Sequence, residues 1–184
     1  SLFDAADPIK NQLQPITVNE LAQLASDKLL NKKNYVPQAQ LRALSLLAEI
    51  QSKLGSLHSA AQLRELQIQI LNDSNASNQE LAETYLELGL VKEQQDKLAE
   101  ALNHFSKANQ LMPLQQSINP LSVNAAQSLA NTQLRLSQND AAKILIEELL
   151  ASESSISKLE NHEELLAGIF GIKTKLNRAN NDFT

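Results

Sequence analysis

His58, His104 and His162 are the chain's only imidazoles, and no two of them sit at metal-ligand spacing. With no cysteine in the sequence, disulfides and thiolate metal sites are excluded. The three histidines read as helix residues, with His104 beside Phe105 partly exposed. Glu147-Glu148 and Glu163-Glu164 are the next candidates for proton transfer. Paired carboxylates work as acid and base only in a cleft that raises one pKa. These read instead as solvated helix charges, favourable near a helix start. Ser152, Ser154, Ser155 and Ser157 could accept phosphate, but as a cluster they read as a polar turn. No constellation supports an enzyme, a metal or a cofactor.

The composition narrows the partners. A net charge of -5 argues against a surface that tracks phosphates. Aromatic residues make up 3%, too few for a base-stacking platform, so nucleic acid is not expected. Few glycines and prolines beside abundant Leu, Ala, Gln and Glu describe a helical protein. No apolar run approaches the roughly 18 residues of a membrane span, and no basic-then-apolar leader opens the chain. The start at Ser1-Leu2-Phe3 lacks a Met, and the chain reads as a fragment of something larger.

Positions 41 residues apart repeat the same residue type. Ala48, Gly89, Ala130 and Gly171 form a column of small residues. Leu47, Leu88, Leu129 and Phe170 form an apolar column, and Ala60, Ala101 and Ala142 a third. A fixed period of this size marks stacked helical units that present a surface.

The local signals supply the helices. Residues 1–16 hold two prolines and no period, and read as a linker or docked tail. Thr17 and Glu20 form a capping box for a helix to about Asn31, followed by a loop over residues 32–36. Pro37 opens a helix that Gly55 ends, and a partner runs from Ser56 to about Leu71. Ser77 and Glu80 box the next helix to about Gln94. Asp96 is expected to cap its partner, which ends near Pro113. Asn119-Pro120 starts a helix to about Leu136, and Asn139 or Asp140 starts its partner, ending near Ser152. A last helix is expected to reach about Leu176, with a partner beginning at Asn177–Asp182. The expected organisation is a tail (1–16), a leading helix and loop (17–37), and repeats at 38–78, 79–119 and 120–160. A half repeat (161–178) and a truncated tail (179–184) complete it.

In the middle unit Tyr85, Leu88, Gly89, Ala101, Phe105, Ala108 and Pro113 are spaced as in the tetratricopeptide (TPR) repeat, which the chain resembles over 38–178. Lys92 departs from the family, which usually has Tyr there. The third unit keeps Leu129, Ala130, Ala142 and Ile146, with Ser154 in place of the proline. The first keeps Leu44, Leu47, Ala48 and Ala60, but has Arg64 and Gln67 in the columns of Phe105 and Ala108. Small residues suit the crossing of two helices, and a bulky Phe105 fills the groove toward the next pair. The resemblance implies an all-α, right-handed α-solenoid of antiparallel helix pairs, longer per unit than the usual 34 residues.

It also implies a ligand-bearing concave face on the first helix of each pair. In the first unit the residues opposite the packing columns are Arg42, Ser45, Glu49, Ser52 and Lys53. In the second they are Glu83, Leu86, Leu90, Glu93 and Gln94, with Leu86 and Leu90 expected partly exposed as apolar anchors. The third gives Asn124, Gln127, Asn131, Leu134 and Arg135, of which the first three form a ladder suited to an extended peptide. The carboxylate clamp of co-chaperone TPR domains is not reproduced beyond Asn131, which disfavours chaperone tails. A protein or peptide partner is expected. Leu165, Ile169 and Ile172 on the unpaired last helix offer a face for a homodimer.

Residues 1–8 and 16–21 resemble the junction before the C-terminal TPR array of certain bacterial serine/threonine protein kinases. That resemblance implies a regulatory or partner-recruiting arm of a membrane-anchored kinase, facing the periplasm. The glycine-rich loop, His-Arg-Asp and Asp-Phe-Gly motifs of the kinase are absent from this sequence. The alternative is a sensing or self-associating domain of a transcriptional regulator, which would be cytoplasmic.

Overall fold

The computed structural model describes residues 17–31 and 37–181, and every regular element among them is helical. The expected tail over 1–16 and the loop over 32–36 lie outside the described residues. The chain divides into two compact units, Ser1–Ser74 and Asn75–Thr184.

The first unit contains α1 (Val18–Asn31), α2 (Pro37–Lys53) and α3 (Leu57–Asp73), with α1 packed on both others. The Thr17 box forms as read: Thr17 Oγ1 accepts from the Glu20 N–H (3.2 Å), and Glu20 Oε2 accepts from the Thr17 N–H (2.8 Å). Leu29, Leu44, Ala48 and Leu63 make the core. Polar side chains fill the rest. Gln51, fully buried, donates to Ser26 Oγ (3.0 Å), and Arg64 donates to Gln67 Oε1 (2.9 Å) and Ser45 Oγ (3.1 Å).

The second unit contains α4 (Asn78–Gln94), α5 (Leu98–Leu111), α6 (Pro120–Arg135), α7 (Asn139–Ala151), the single turn α8 (Glu153–Ile156) and α9 (His162–Asn181). Each of α4, α5, α6 and α7 packs on the next long helix, while α6 also packs on α4 and α9. Two layers result: the first helices of successive pairs lie side by side, with the second helices behind them. Leu86, Ala101, Phe105, Ala108, Ala125 and Leu129 form one core cluster, and Val123, Leu149, Ile156, Leu165 and Ile169 another.

The period is written in the backbone as well as in the side chains. Gly55, Asp96 and Ser137, 41 residues apart, all adopt positive φ (78°, 58° and 59°) between the helices of a pair. In each turn the next N–H bonds back five residues: Ser56 to Gln51 O (2.8 Å), Lys97 to Lys92 O (2.9 Å), Gln138 to Gln133 O (2.8 Å). The left-handed residue's own N–H reaches Ser52, Glu93 or Leu134 O, each at 3.0 Å. Two such bonds satisfy carbonyls that a helix end leaves without partners. Asp96 therefore does not cap α5 through its side chain. It is the left-handed residue that closes α4, and Lys97 precedes α5.

Gly89 and Phe105 explain the small column. A Cβ on Gly89 would collide with the Phe105 ring, whereas Ala130 and Ala48 have the smaller Ile146 and the flexible Arg64 in the matching column. Lys92 is buried and reaches Glu100 (2.9 Å), so an ion pair spans α4 and α5 there. Its ammonium holds the Glu100 carboxyl below the ordinary carboxylate value.

Three expectations change in the second unit. The serine cluster is not an open turn: it contains α8, which buries Ile156. The last helix continues through Asn177–Asn181 rather than ending at Leu176. Leu165, Ile169 and Ile172 are not an unpaired face, because they are buried in the clusters built with α6 and α7.

Candidate functional groove on the first helices

The histidines do not converge. His58 is exposed, His104 stacks on Tyr85 (6.1 Å between centroids), and His162 Nδ1 lies 2.9 Å from Leu159 O. Among the described residues no group of three or more His, Asp or Glu is placed to hold a metal. No described helix is long and apolar enough to cross a membrane.

In the first unit, Arg42 and Glu49 are exposed on α2. Glu49 pairs with Lys53 one turn on (2.5 Å), and that hydrogen bond lowers its pKa. Ser45 accepts from Arg64 Nη1 (3.1 Å).

The second unit gathers more. A groove of about 330 Å³ is lined by Glu93 of α4, Gln127, Ser128 and Asn131 of α6, and Gly168, Gly171, Ile172 and Lys175 of α9. Gln127 and Asn131 were expected on this face. Arg135 borders the groove through Glu93, with Nη1 2.6 Å from Glu93 Oε1 and Nη2 3.4 Å from Asp96 Oδ1. Glu83 and Asn124 are exposed outside it. Leu90 is 42% exposed, but Leu86 is only 8% exposed and packs in the core with Ala125 and Leu129. The expected pair of apolar anchors is therefore a single one, Leu90.

The amide ladder is partly committed. Gln127 Nε2 donates to Leu165 O (2.7 Å), and its amide lies over Gly168, where a Cβ would press on it. Asn131 Oδ1 accepts from Lys175 Nζ (2.8 Å). Both bonds tie α6 to α9 and place an amide nitrogen from Asn131 beside an ammonium. The Glu93–Arg135 pair lies on the α4 side and Lys175 on the α9 side, so the groove carries charges of both signs.

The α9 residues were missed, although the signal was present. Gly168, Ile172 and Lys175 lie 41 residues after Gln127, Asn131 and Leu134, the same face carried one repeat further. Extending the columns past Arg135 would have found them.

No protein-family model matches the chain, and no curated protein matches it in sequence. Fold and groove define a class: an all-helical protein of hairpins repeated every 41 residues, with a polar groove along the first helices of its second unit.

Proposed function

We propose that this chain is a TPR-like protein-interaction module that receives an extended peptide segment along α4, α6 and α9. The observation that carries the reading is the groove itself. It runs across three successive first helices and offers donors from Asn131 and Lys175, and Leu90 is exposed about one turn before Glu93 on α4. A few polar groups placed in a concavity fix orientation, and an apolar anchor adds affinity. In this reading the role is recruitment or sensing. A random-peptide library displayed against the purified chain should enrich binders whose affinity falls about tenfold in Asn131→Ala and Lys175→Ala. Enrichment of nothing, or of binders indifferent to both changes, would overturn the reading.

The parent in this proposal is a bacterial serine/threonine protein kinase, supported by the sequence of the junction at residues 1–21. Reading the coding sequence upstream of Ser1 tests it. A glycine-rich loop, His-Arg-Asp and Asp-Phe-Gly followed by an apolar span would sustain it. A DNA-binding domain in their place would make the module part of a transcriptional regulator.

A further inference from the structure

The two bonds that tie α6 to α9 occupy one half of each amide on the groove and leave the other half open. Gln127 donates through Nε2 to Leu165 O (2.7 Å), and Asn131 accepts at Oδ1 from Lys175 Nζ (2.8 Å). What remains is Gln127 Oε1, an acceptor, and Asn131 Nδ2, a donor. Neither has a hydrogen-bond partner among the described residues, and neither atom is buried.

Neither amide is free to turn over. Reversed, Gln127 would set its oxygen against Leu165 O, and Asn131 would set its NH2 against the Lys175 ammonium. Gly168 completes the arrangement, since a Cβ there would stand in the space of Gln127 Oε1. The α6–α9 side of the groove therefore presents a fixed acceptor and, one helical turn on, a fixed donor.

We infer that this side of the groove reads the main chain of its ligand rather than a side chain, with Gly168 as the positioning residue for Gln127. The inference rests on the peptide reading above and says which part of the peptide is held. An extended chain shows an N–H and a C=O on the same edge once every two residues, about 7 Å. Gln127 and Asn131 are four residues apart on a helix, about 6 Å along its axis. One such pair therefore meets both amides: a peptide N–H donates to Gln127 Oε1, and a peptide C=O accepts from Asn131 Nδ2. Charged side chains match only half of this arrangement. A carboxylate would face the Gln127 oxygen, and an ammonium would face the Asn131 N–H. Among side chains, a primary amide (Asn or Gln) could serve both, and it is the competing occupant. Every residue except proline carries the main-chain N–H. The ligand class is thus an extended segment, tolerant in sequence, that excludes proline at the one residue facing Gln127.

The probe is a fluorescein-labelled peptide enriched by the displayed library, titrated by anisotropy against the full chain with its backbone nitrogens methylated one at a time. Methylation at one residue should weaken binding about tenfold, and an amide-to-ester replacement there, which removes the N–H without adding bulk, should match it. Changing that residue's side chain to Ala should alter affinity less than about twofold. Asn131→Asp keeps the size and the acceptor for Lys175 but replaces the donor with a second oxygen. It should weaken binding at least about tenfold with an unchanged melting temperature, which separates a ligand contact from a tie between helices. Gly168→Ala favours the helix and presses only on the end of a flexible side chain, so the chain stays folded. In that variant the parent and methylated peptides should bind alike, because the displaced Gln127 has no contact left to lose. A methylation scan that is silent at every position overturns the inference, as does an alanine scan that traces the loss to an Asn or Gln side chain. So does wild-type affinity in Asn131→Asp, or a methylation effect that survives Gly168→Ala. In all four of these outcomes a peptide still binds, whereas a library that enriches nothing overturns the peptide reading itself.

Discussion

The α2–α3 hairpin of the first unit and the α4–α5 hairpin of the second share a turn and are filled with different chemistry. Both close with a left-handed residue and the same two backbone bonds, and both keep a small residue where the helices cross. Behind that shared frame, α4–α5 buries Phe105 and Ala108, whereas α2–α3 buries Arg64 and Gln67. The contrast teaches that the repeat is specified by its turn and its small columns. What fills the groove is free to be apolar or hydrogen-bonded, provided each polar group finds a partner. A cluster such as Arg64–Gln67–Ser45 contributes less net stability than a ring, because its bonds replace bonds to water.

Truncation at the matching position should separate the two chemistries most sharply. Phe105→Ala leaves a ring-sized void in a fully buried cluster and should cost about 3–5 kcal/mol in a urea titration. Arg64→Ala strands Gln67 Oε1 and should cost about 1–3 kcal/mol. Equal losses would mean that the two fillings are energetically the same and that the contrast is only one of composition.

Gly89→Leu sharpens the account of the crossing. It forces atoms into the Phe105 ring and should destabilise by about 1–3 kcal/mol, whereas Gln94→Leu on the exposed side of the same helix should change little. Combined with Phe105→Ala, the loss should fall short of the sum by about 1 kcal/mol, because each change makes room for the other. Strict additivity would show that Gly89 and Phe105 are not partners.

Much of this was legible in the sequence, and the parts that were not have physical reasons. The small columns and both Ser/Thr–Glu boxes announced the hairpins, because steric limits and capping bonds act over a few residues. Asp96 misled because its residue type suits an N-cap as well as the left-handed position, and only the neighbouring chain decides between them. Leu86 was misplaced because a helix face has no sharp edge: one turn separates it from Leu90, yet the packing of α6 covers only Leu86. Gln127 and Asn131 fell on the expected groove, but their bonds to Leu165 O and Lys175 could not be read from spacing, since both partners lie on α9.

The turns offer a smaller and opposite effect. The first unit uses Gly55 at the left-handed position, while the second uses Asp96 and Ser137. Positive φ crowds a Cβ against the backbone, and glycine avoids that at an entropic cost. Ser137→Gly should therefore raise stability by about 0.5–1 kcal/mol, and Gly55→Ser should lower it by a similar amount. Thermal melts of the two variants moving in the same direction would mean that the turns are not equivalent.

The capping boxes carry the smallest effect and give it a pH signature. Thr17–Glu20 opens the first unit and Ser77–Glu80 the second, and hydrogen bonds from the capping residue hold both carboxyls below the ordinary value of 4.5. For Glu80 the Ser77 hydroxyl contributes most, followed by the Ser77 N–H. A carboxyl with a depressed folded-state pKa contributes stability that is present above the unfolded value and lost as pH falls through the folded one. Stability should thus decline as pH is lowered from 4.5 through the depressed folded-state value, with the neutral acid no longer drawing both donors. Ser77→Ala should cost about 1 kcal/mol at neutral pH, and Glu80→Gln should flatten the acid limb of a pH series without steepening it. Because α4 supplies Glu93 to the groove while α1 supplies nothing to it, only the Ser77 change should also weaken peptide binding. A matching loss from Thr17→Ala would show that the two units respond as one.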